Sequence, residues 1–179
     1  MVPDPGGMSD PDWSPDGSRL VVDRQMPTAP RQRPSSVLAV VDLETKKITN
    51  LAGAEDLHMP RWSPDGRYIA AVVGTRAEIR IFDTLSQKWN TVAQGKSIGF
   101  PVWSADGASI YYQDTLAPGE PLYRWQVANG SRTQVASFQS VLDNGVSRCV
   151  FVALSPEGAP LLALDRNHSD IYAARLFLP

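Results

Sequence analysis

The feature that most constrains the fold of this chain is a five-residue motif that recurs along its whole length. The copies read Trp13-Ser14-Pro15-Asp16-Gly17, Trp62-Ser63-Pro64-Asp65-Gly66, Trp103-Ser104-Ala105-Asp106-Gly107 and, in a degraded form, Leu154-Ser155-Pro156-Glu157-Gly158. Their acidic residues, at positions 16, 65, 106 and 157, lie 49, 41 and 51 residues apart. Spacings of this size indicate repeated supersecondary units that stack on one another to bury a shared core.

Each copy of the motif has the residues of a tight turn. Serine first, proline second and glycine fourth suit a type I turn, because proline fixes φ and glycine accepts a positive φ where the chain leaves the turn. An apolar segment follows each turn, at Leu20–Val22, Tyr68–Val73, Ile110–Tyr112 and Leu161–Leu164. These segments are apolar on both faces, which indicates strands buried between neighbouring sheets.

Further strands are expected after each of these segments. A third strand is predicted at Val37–Leu43, Ile79–Phe82, Leu122–Val127 and Ile171–Leu176, and the first three copies add a more polar fourth strand around Ile48, Trp89 and Thr133. Almost nothing has the periodicity of a helix. We therefore predict one all-β β-propeller region over residues 1–179, built of about four four-stranded antiparallel blades, with the last blade incomplete and the ring partial or open. The repeats are placed at residues 10–53, 58–95, 99–138 and 149–179.

This pattern resembles the TolB-type repeat, a WD-repeat-like family of propellers. Its hallmark is an aromatic residue followed by Ser-Pro-Asp-Gly and an apolar strand, and the likeness runs from about Pro11 to Leu178. The fourth copy departs from it at Leu154 and Glu157. Such propellers occur in envelope-complex adaptors, beside serine peptidases, and at the C-terminus of bacterial kinases and winged-helix regulators. The resemblance thus implies the propeller part of a larger bacterial protein, and it constrains function only loosely.

Composition argues against several classes of partner and site. The net charge of -2, with basic and acidic residues interspersed, gives no field that would attract nucleic acid or an anionic membrane. Cys149 is alone, which excludes an internal disulfide and a cysteine zinc site. No apolar run approaches the roughly 20 residues that span a bilayer, and no signal segment is visible. We expect a cytoplasmic location by default, and a periplasmic one if the chain is part of an exported or membrane-anchored protein.

Binding is expected on the face opposite the motif turns, where the loops differ most between repeats. That face includes the long loop at residues 24–36, the loop at residues 114–120 and the links between blades. Variable loops on a rigid scaffold are the usual seat of recognition. The polar residues that lead into the innermost strands, His58, Arg61 and Arg148, are the predicted ligand or partner contacts at the channel mouth, for a small anionic or peptide ligand. Ordinary surface hydrogen bonding is the alternative for all three.

The positions that recur from copy to copy of the motif are interpreted as structural rather than functional. The tryptophans precede the turns at a fixed place, so packing between blades is favoured over stacking on nucleic-acid bases. The acidic and glycine positions form the turns. The residues assigned in this way are Trp13, Asp16, Gly17, Trp62, Asp65, Gly66, Trp103, Asp106, Gly107, Glu157 and Gly158.

Two catalytic motifs match the sequence only in part. Residues 95–99, Gly-Lys-Ser-Ile-Gly, match the nucleophile-elbow pattern, and His168 follows them, but an elbow requires a strand-to-helix turn above a parallel sheet. A phosphate loop would need glycine at the position of Asn90. Two distant histidines and one cysteine are too few for a metal cluster of these ligands. The sequence therefore predicts no catalytic residue, no cofactor and no metal, and a chain that is not an enzyme.

The function predicted from these features is a non-enzymatic binding or scaffold module for a protein or peptide partner, in a bacterial signalling or envelope protein. The alternative is an accessory propeller of a serine peptidase or other hydrolase. No nucleic acid or membrane insertion is expected. The end blades would present apolar faces and unpaired edges, so self-association through them is a further expectation.

Overall fold

Four antiparallel sheets follow one another along the chain. The computed structural model describes residues 7–26, 35–74, 77–166 and 170–175. The first sheet contains β1 (Met8–Trp13), β2 (Arg19–Met26), β3 (Ser35–Asp42) and β4 (Ile48–Glu55); the second, β5 (Leu57–Trp62), β6 (Tyr68–Val73), β7 (Glu78–Asp83) and β8 (Lys88–Gln94); the third, β9 (Val102–Trp103), β10 (Ser109–Gln113), β11 (Leu122–Gln126) and β12 (Arg132–Ala136); the fourth, β13 (Arg148–Leu154), β14 (Pro160–Arg166) and β15 (Asp170–Arg175). One short helix, α1 (Gln139–Asp143), lies between the third and fourth sheets.

Within each sheet the strands pair in chain order, as a simple meander. The first three sheets have four strands and the fourth has three, and over the described residues no strand of the fourth sheet pairs with the first. The predicted all-β propeller, with about four blades, an incomplete last blade and an open ring, is therefore confirmed. We number these sheets as blades one to four.

The four motif turns are built alike. In each, the glycine N–H donates to the carbonyl of the motif serine over 2.8 or 2.9 Å, and the glycine φ lies between +68° and +84°. In each, the serine hydroxyl donates to the acidic side chain. The serine oxygen accepts the N–H of the residue that begins the next strand or, in the fourth copy, of Ala159 just before that strand. The serine thus ties the turn to the strand that leaves it, as the type I prediction requires.

Tryptophan packing joins consecutive blades. Trp62 of blade two lies in one core cluster with Val21 of blade one, and its backbone N–H donates to an Asp12 carboxylate oxygen over 2.7 Å. Trp103 of blade three stacks on Tyr68 of blade two, with ring centroids 6.3 Å apart. Its indole N–H donates to the carbonyl of Arg61 over 3.0 Å. Each of these contacts combines a large buried aromatic surface with a hydrogen bond across the blade boundary.

Trp13 differs from its two counterparts. Its side chain is 60% exposed, whereas Trp62 and Trp103 are each 9% exposed. The prediction of inter-blade packing therefore applies to the second and third tryptophans and not to the first, which in the described part of the chain has no preceding blade to pack against.

The left-handed backbone at the motif glycine generates a stability prediction. Gly66 has φ +73°, and a Cβ there would meet only the Pro15 ring at an ordinary 3.6 Å, so the penalty is conformational. Gly66→Ala should lower the free energy of unfolding by ~1–2 kcal/mol, the cost of a left-handed L-residue. Chemical denaturation measures this change. The matched control is Gly99→Ala, since Gly99 has no left-handed φ and has room for a Cβ; equal effects at the two sites would refute the turn assignment.

The turn carboxylates generate a pH prediction. Hydrogen bonds from Ser14 and Ser18 lower the pKa of Asp16 to about 2, and bonds from the motif serine lower the pKa values of Asp65 and Asp106. Because these pKa values are lower in the folded chain, the stabilisation is present above pH ~4 and is lost as the pH falls toward ~2. Urea midpoints should fall over that range.

The triple variant Asp16→Asn, Asp65→Asn, Asp106→Asn is the control for this prediction. Asparagine keeps an acceptor for the serine hydroxyl and the turn N–H but does not titrate in this range. Its urea midpoint should depend less on pH than that of the parent chain. A pH dependence as steep as the parent's would mean that the turn carboxylates are not responsible.

Candidate ligand-binding face

The face opposite the motif turns is formed by the loops between second and third strands and by the links between blades. Part of it falls outside the described residues, including positions 27–34 of the first long loop and Thr75 and Arg76 of the second. The described part contains His58, Arg148 and the loop from Asp114 to Pro121. Arg61, the third predicted contact, immediately precedes Trp62 and lies at the opposite, motif-turn end of β5.

His58 is engaged by residues of both blade one and its own blade. Its Nδ1 lies 2.6 Å from a carboxylate oxygen of Asp23 on β2, and its Nε2 lies 3.6 Å from Asp56. The Ser36 hydroxyl is 3.5 Å from both ring nitrogens. The Asp23 side chain is 9% exposed, and its other oxygen has no hydrogen-bond partner in the described structure. The imidazole therefore connects blades one and two at the edge of a cavity of about 250 Å³.

Arg61 lies near the end of β5, beside the blade boundary. Its guanidinium donates to the carbonyl of Pro60 over 2.7 Å. Burial raises the pKa of the nearby Asp12 carboxyl, while the Trp62 N–H and the Arg61 charge act in the opposite direction. The contacts of Arg61 are thus with its own strand and with the carboxylate that anchors Trp62.

Arg148 is exposed at the start of β13, at the rim of a cavity between blades three and four. The cavity has a volume of about 200 Å³, and its lining includes Ser97, Phe100, Gln113, Glu120, Arg148 and Phe151. His58 lines the separate cavity beside blades one and two, and Arg61 lines neither of these two. The structure therefore places His58 and Arg148 at different points of the loop face and Arg61 beside the motif turns, and the role of all three in binding stays a prediction.

Glu120 is the most unusual group in the Arg148 cavity. Its backbone has φ +44°, a left-handed value that is uncommon for a non-glycine residue. Burial raises the pKa of its carboxyl, and the charge of Arg148 opposes that rise. Glu120 thus combines partial burial, a raised carboxyl pKa and a nearby cation, Arg148.

Gln113 holds this cavity together across the blade boundary. Its side-chain amide donates to Glu120 over 3.0 Å and to the carbonyl of Cys149 over 2.9 Å, and it accepts the N–H of Phe151 over 2.9 Å. Gln113 is 2% exposed. Gln113 and Glu120 were not among the predicted site residues. The available signal was a polar residue at the end of an otherwise apolar strand, followed by a Gly-Glu-Pro turn.

Cys149 lies under the same cavity and is fully buried. Burial raises the pKa of its thiol to about 11, with a further contribution from the charge of Glu120. Because the thiolate is the nucleophilic form, this cysteine has the character of a packing residue rather than a reactive one.

The nucleophile-elbow pattern at residues 95–99 has none of the required context. Ser97 lies in an irregular link between β8 and β9, and the N–H groups of Lys96 and Ser97 each donate to the Asp114 carboxylate over 2.9 Å. The only helix in the described ranges, α1, is far along the chain at Gln139–Asp143. His168, the other residue considered for catalysis, lies outside the described residues.

Among the residues whose placement is described, no group of three or more His, Cys, Asp or Glu side chains could hold a metal ion. In the same residues, no helix is long and apolar enough to cross a membrane.

Comparison with known proteins places the chain among propellers that include peptidases. No protein-family profile matches the sequence. An uncharacterized peptidase, YuxL, of Bacillus subtilis strain 168 is 26% identical over 147 residues, which cover 78% of this chain and 21% of that protein. A putative TolB from Agrobacterium tumefaciens superposes with a TM-score of 0.74 at 19% identity, over 97% of this chain and 59% of that one. A puromycin-hydrolyzing peptidase of Mycobacterium tuberculosis superposes with a TM-score of 0.72 at 19% identity, over 99% and 30%.

These similarities confirm the TolB-like propeller fold, and they correct one prediction. The prediction that the chain is not an enzyme is wrong. The relative found by sequence is a peptidase, and several of the solved structures that superpose on the chain are peptidases. The expectation rested on the lack of a catalytic cluster in these residues. The chain spans only 21% of the length of that relative, so its own residues cannot decide the activity of such a protein.

Asp114 offers a direct test of how the loop face is held. The residue is 5% exposed; burial raises the pKa of its carboxyl, but N–H donors led by Lys96 and Ser97 outweigh burial and leave that pKa low. Asp114→Ala should lower the free energy of unfolding by ~1–3 kcal/mol, because buried donors lose their acceptor. Thermal or urea unfolding measures the change. Asp143→Ala, at an exposed carboxylate on α1, is the control, and a loss as large there would contradict the anchoring role.

Proposed function

We propose that this chain is the propeller part of a peptidase and that its loop face holds peptide substrates at the cavity between blades three and four. The sequence match to the Bacillus subtilis peptidase, over 78% of the chain, is the observation that carries the proposal. Membership of the TolB-type repeat family is part of it, supported by the four copies of the turn motif.

The chemistry of the Arg148 cavity suits a peptide. A peptide offers N–H donors, carbonyl acceptors and charged termini, and this cavity sets a carboxyl group, Glu120, opposite a guanidinium, Arg148. Phe100 and Phe151 add apolar surface to its lining. Pockets of this kind combine apolar walls with a few polar groups that fix the orientation of the ligand.

The proposal separates substrate binding from peptide-bond cleavage because of what the described residues contain. Ser97 lines the cavity between blades three and four, whereas His58 lines the separate cavity beside blades one and two, so the two residues do not form a serine-histidine pair. The proposal therefore assigns peptide-bond cleavage to parts of the polypeptide outside these residues, and substrate contact to the loop face.

The native polypeptide provides the test. Antibodies against the chain would capture the protein that carries it, and that protein would be assayed on fluorogenic aminoacyl amides and a mixed peptide pool. We predict hydrolysis, and we predict that Arg148→Ala raises KM about tenfold with little change in kcat, since a hydrogen bond to a charged group contributes roughly 1.5 kcal/mol.

Arg67→Ala is the matched control, because Arg67 lies at the motif turns on the other face and pairs with Asp83. It should leave KM unchanged. A native protein that hydrolyses none of these substrates would overturn the peptidase assignment. A peptidase whose KM ignores both substitutions would overturn the substrate-contact role while keeping the assignment.

The protein-binding role predicted from the sequence is the second candidate. It is favoured by Leu116, a side chain that is 67% exposed in the loop beside the same cavity. Contact with a protein partner would remove the apolar surface of this side chain from water, which is favourable. This candidate would be favoured over the first if the native protein had no peptidase activity and if Leu116→Asp abolished its binding of a protein partner.

A further inference from the structure

The boundary between blades three and four differs from the two boundaries before it. At those, the motif tryptophan of the later blade packs on the earlier blade, so Trp62 and Trp103 are each 9% exposed. Leu154 holds the same position in blade four, where it pairs with Pro160 at the start of β14 as Trp103 pairs with Ile110 of β10. Because leucine has no ring, this boundary lacks the indole that the other two contain.

The turns at the same boundary also lack a contact that the earlier turns make. A Cβ built on Gly66 or on Gly107 lies 3.6 Å from the proline ring of the turn before it. A Cβ built on Gly158 meets no described atom within 4 Å, and Ala105 stands where the turn before it would have its proline. Two groups that fill the space between neighbouring turns, the tryptophan and the proline, are thus both replaced by smaller side chains at one boundary.

An open groove of about 580 Å³ lies between these two turns. Its apolar lining consists of Val102, Trp103, Tyr111, Ala153 and Leu154. Trp103 and Tyr111 give the groove two aromatic side chains, on which another ring can pack in the offset or edge-to-face arrangements that aromatic pairs prefer. The groove therefore suits an aromatic side chain, at a boundary where the chain does not supply its own.

The polar lining of the groove carries negative charge from both turns. Asp106 belongs to the turn of blade three and Glu157 to the turn of blade four. Hydrogen bonds from the Ser104 hydroxyl and the Ala108 N–H lower the pKa of Asp106, so that carboxyl is ionised at neutral pH. Among the described residues that line the groove there is no lysine or arginine. A basic side chain beside the bound ring would therefore be attracted to both turns.

We propose that this groove binds an aromatic side chain of a partner protein, with a lysine or arginine next to it in the partner's sequence. The ring packs on Trp103 and Tyr111, and the basic group lies between Asp106 and Glu157. An open groove suits a side chain whose backbone stays outside, whereas small-molecule sites enclose most of the ligand. The groove lies among the motif turns, on the face opposite the Arg148 cavity, so the site is independent of the peptidase assignment.

Fluorine NMR on the whole protein that carries the chain tests the site with capped dipeptide amides. The probe is acetyl-(5-fluorotryptophyl)-arginine amide, which should bind. The peptide with glutamate in place of arginine should bind about threefold or more weakly, as expected when exposed charge pairs are lost. Unlabelled acetyl-leucyl-arginine amide should not displace the probe, because it has the charge without the ring.

A variant that fills the groove locates the binding. Leu154→Trp supplies the ring from the chain itself and should weaken binding of the probe by at least about tenfold, as for loss of a central aromatic contact. Its melting temperature should not fall, because two earlier blades have tryptophan at this position. Leu85→Trp is the matched control: Leu85 is 78% exposed in the turn between β7 and β8, and its replacement should leave binding unchanged.

A second variant tests the charge without altering the packing. Asp106→Asn keeps an acceptor for the turn hydrogen bonds and should reduce the preference for the arginine peptide over the glutamate peptide. It decides the matter alone if Leu154→Trp destabilises the fold. Failure of the probe to bind the whole protein, as when another part of the same polypeptide covers the groove, would overturn the proposal. So would equal binding by a folded Leu154→Trp protein, or a preference for arginine that Asp106→Asn leaves unchanged.

Discussion

The fold depends on the packing of one motif turn and its tryptophan on the blade before it. Each turn is stiffened from within by its serine, which donates to the acidic side chain and accepts an N–H at the start of the next strand. A stiff turn holds the tryptophan at a fixed position, and there the ring covers the previous blade while its N–H groups reach Asp12 or the carbonyl of Arg61. Because a single meander cannot bury both of its faces, these contacts between neighbours supply most of the core.

The sequence predicted those parts of the fold that depend on local chemistry. The turn residues, the apolar strands after them and the period of the repeat are all encoded within a few residues of one another, and the structure has them in the predicted places. The exposure of Trp13 was not predictable in this way, since it depends on what precedes the first blade rather than on the motif. Gln113 and Glu120 escaped notice for a related reason: their roles arise only when blade four approaches blade three.

The candidate site shows the same difference between contacts that are local in the chain and contacts that form only between blades. His58 was predicted as a channel-mouth contact, but its contact with Asp23 of another blade could not be predicted from residues near it in the chain. The prediction that the chain is not an enzyme treated the lack of a catalytic cluster as evidence about the whole protein. The chain covers only 21% of the related peptidase. The catalytic residues of such a protein can lie outside its propeller, so their lack in these residues says nothing about the activity of the whole protein.

The central claim is that the motif turns are equivalent bends stacked in chain order. Intrachain cross-linking of paired cysteines measures this directly, because proximity alone sets the rate. Chains with cysteines at Pro15 and Gly66, or at Pro64 and Gly107, should cross-link rapidly as monomers, since each pair is in contact. Cysteines at Pro15 and Gly107, two turns apart, should cross-link far more slowly. Equal rates for all three pairs would contradict the stacked arrangement of the blades.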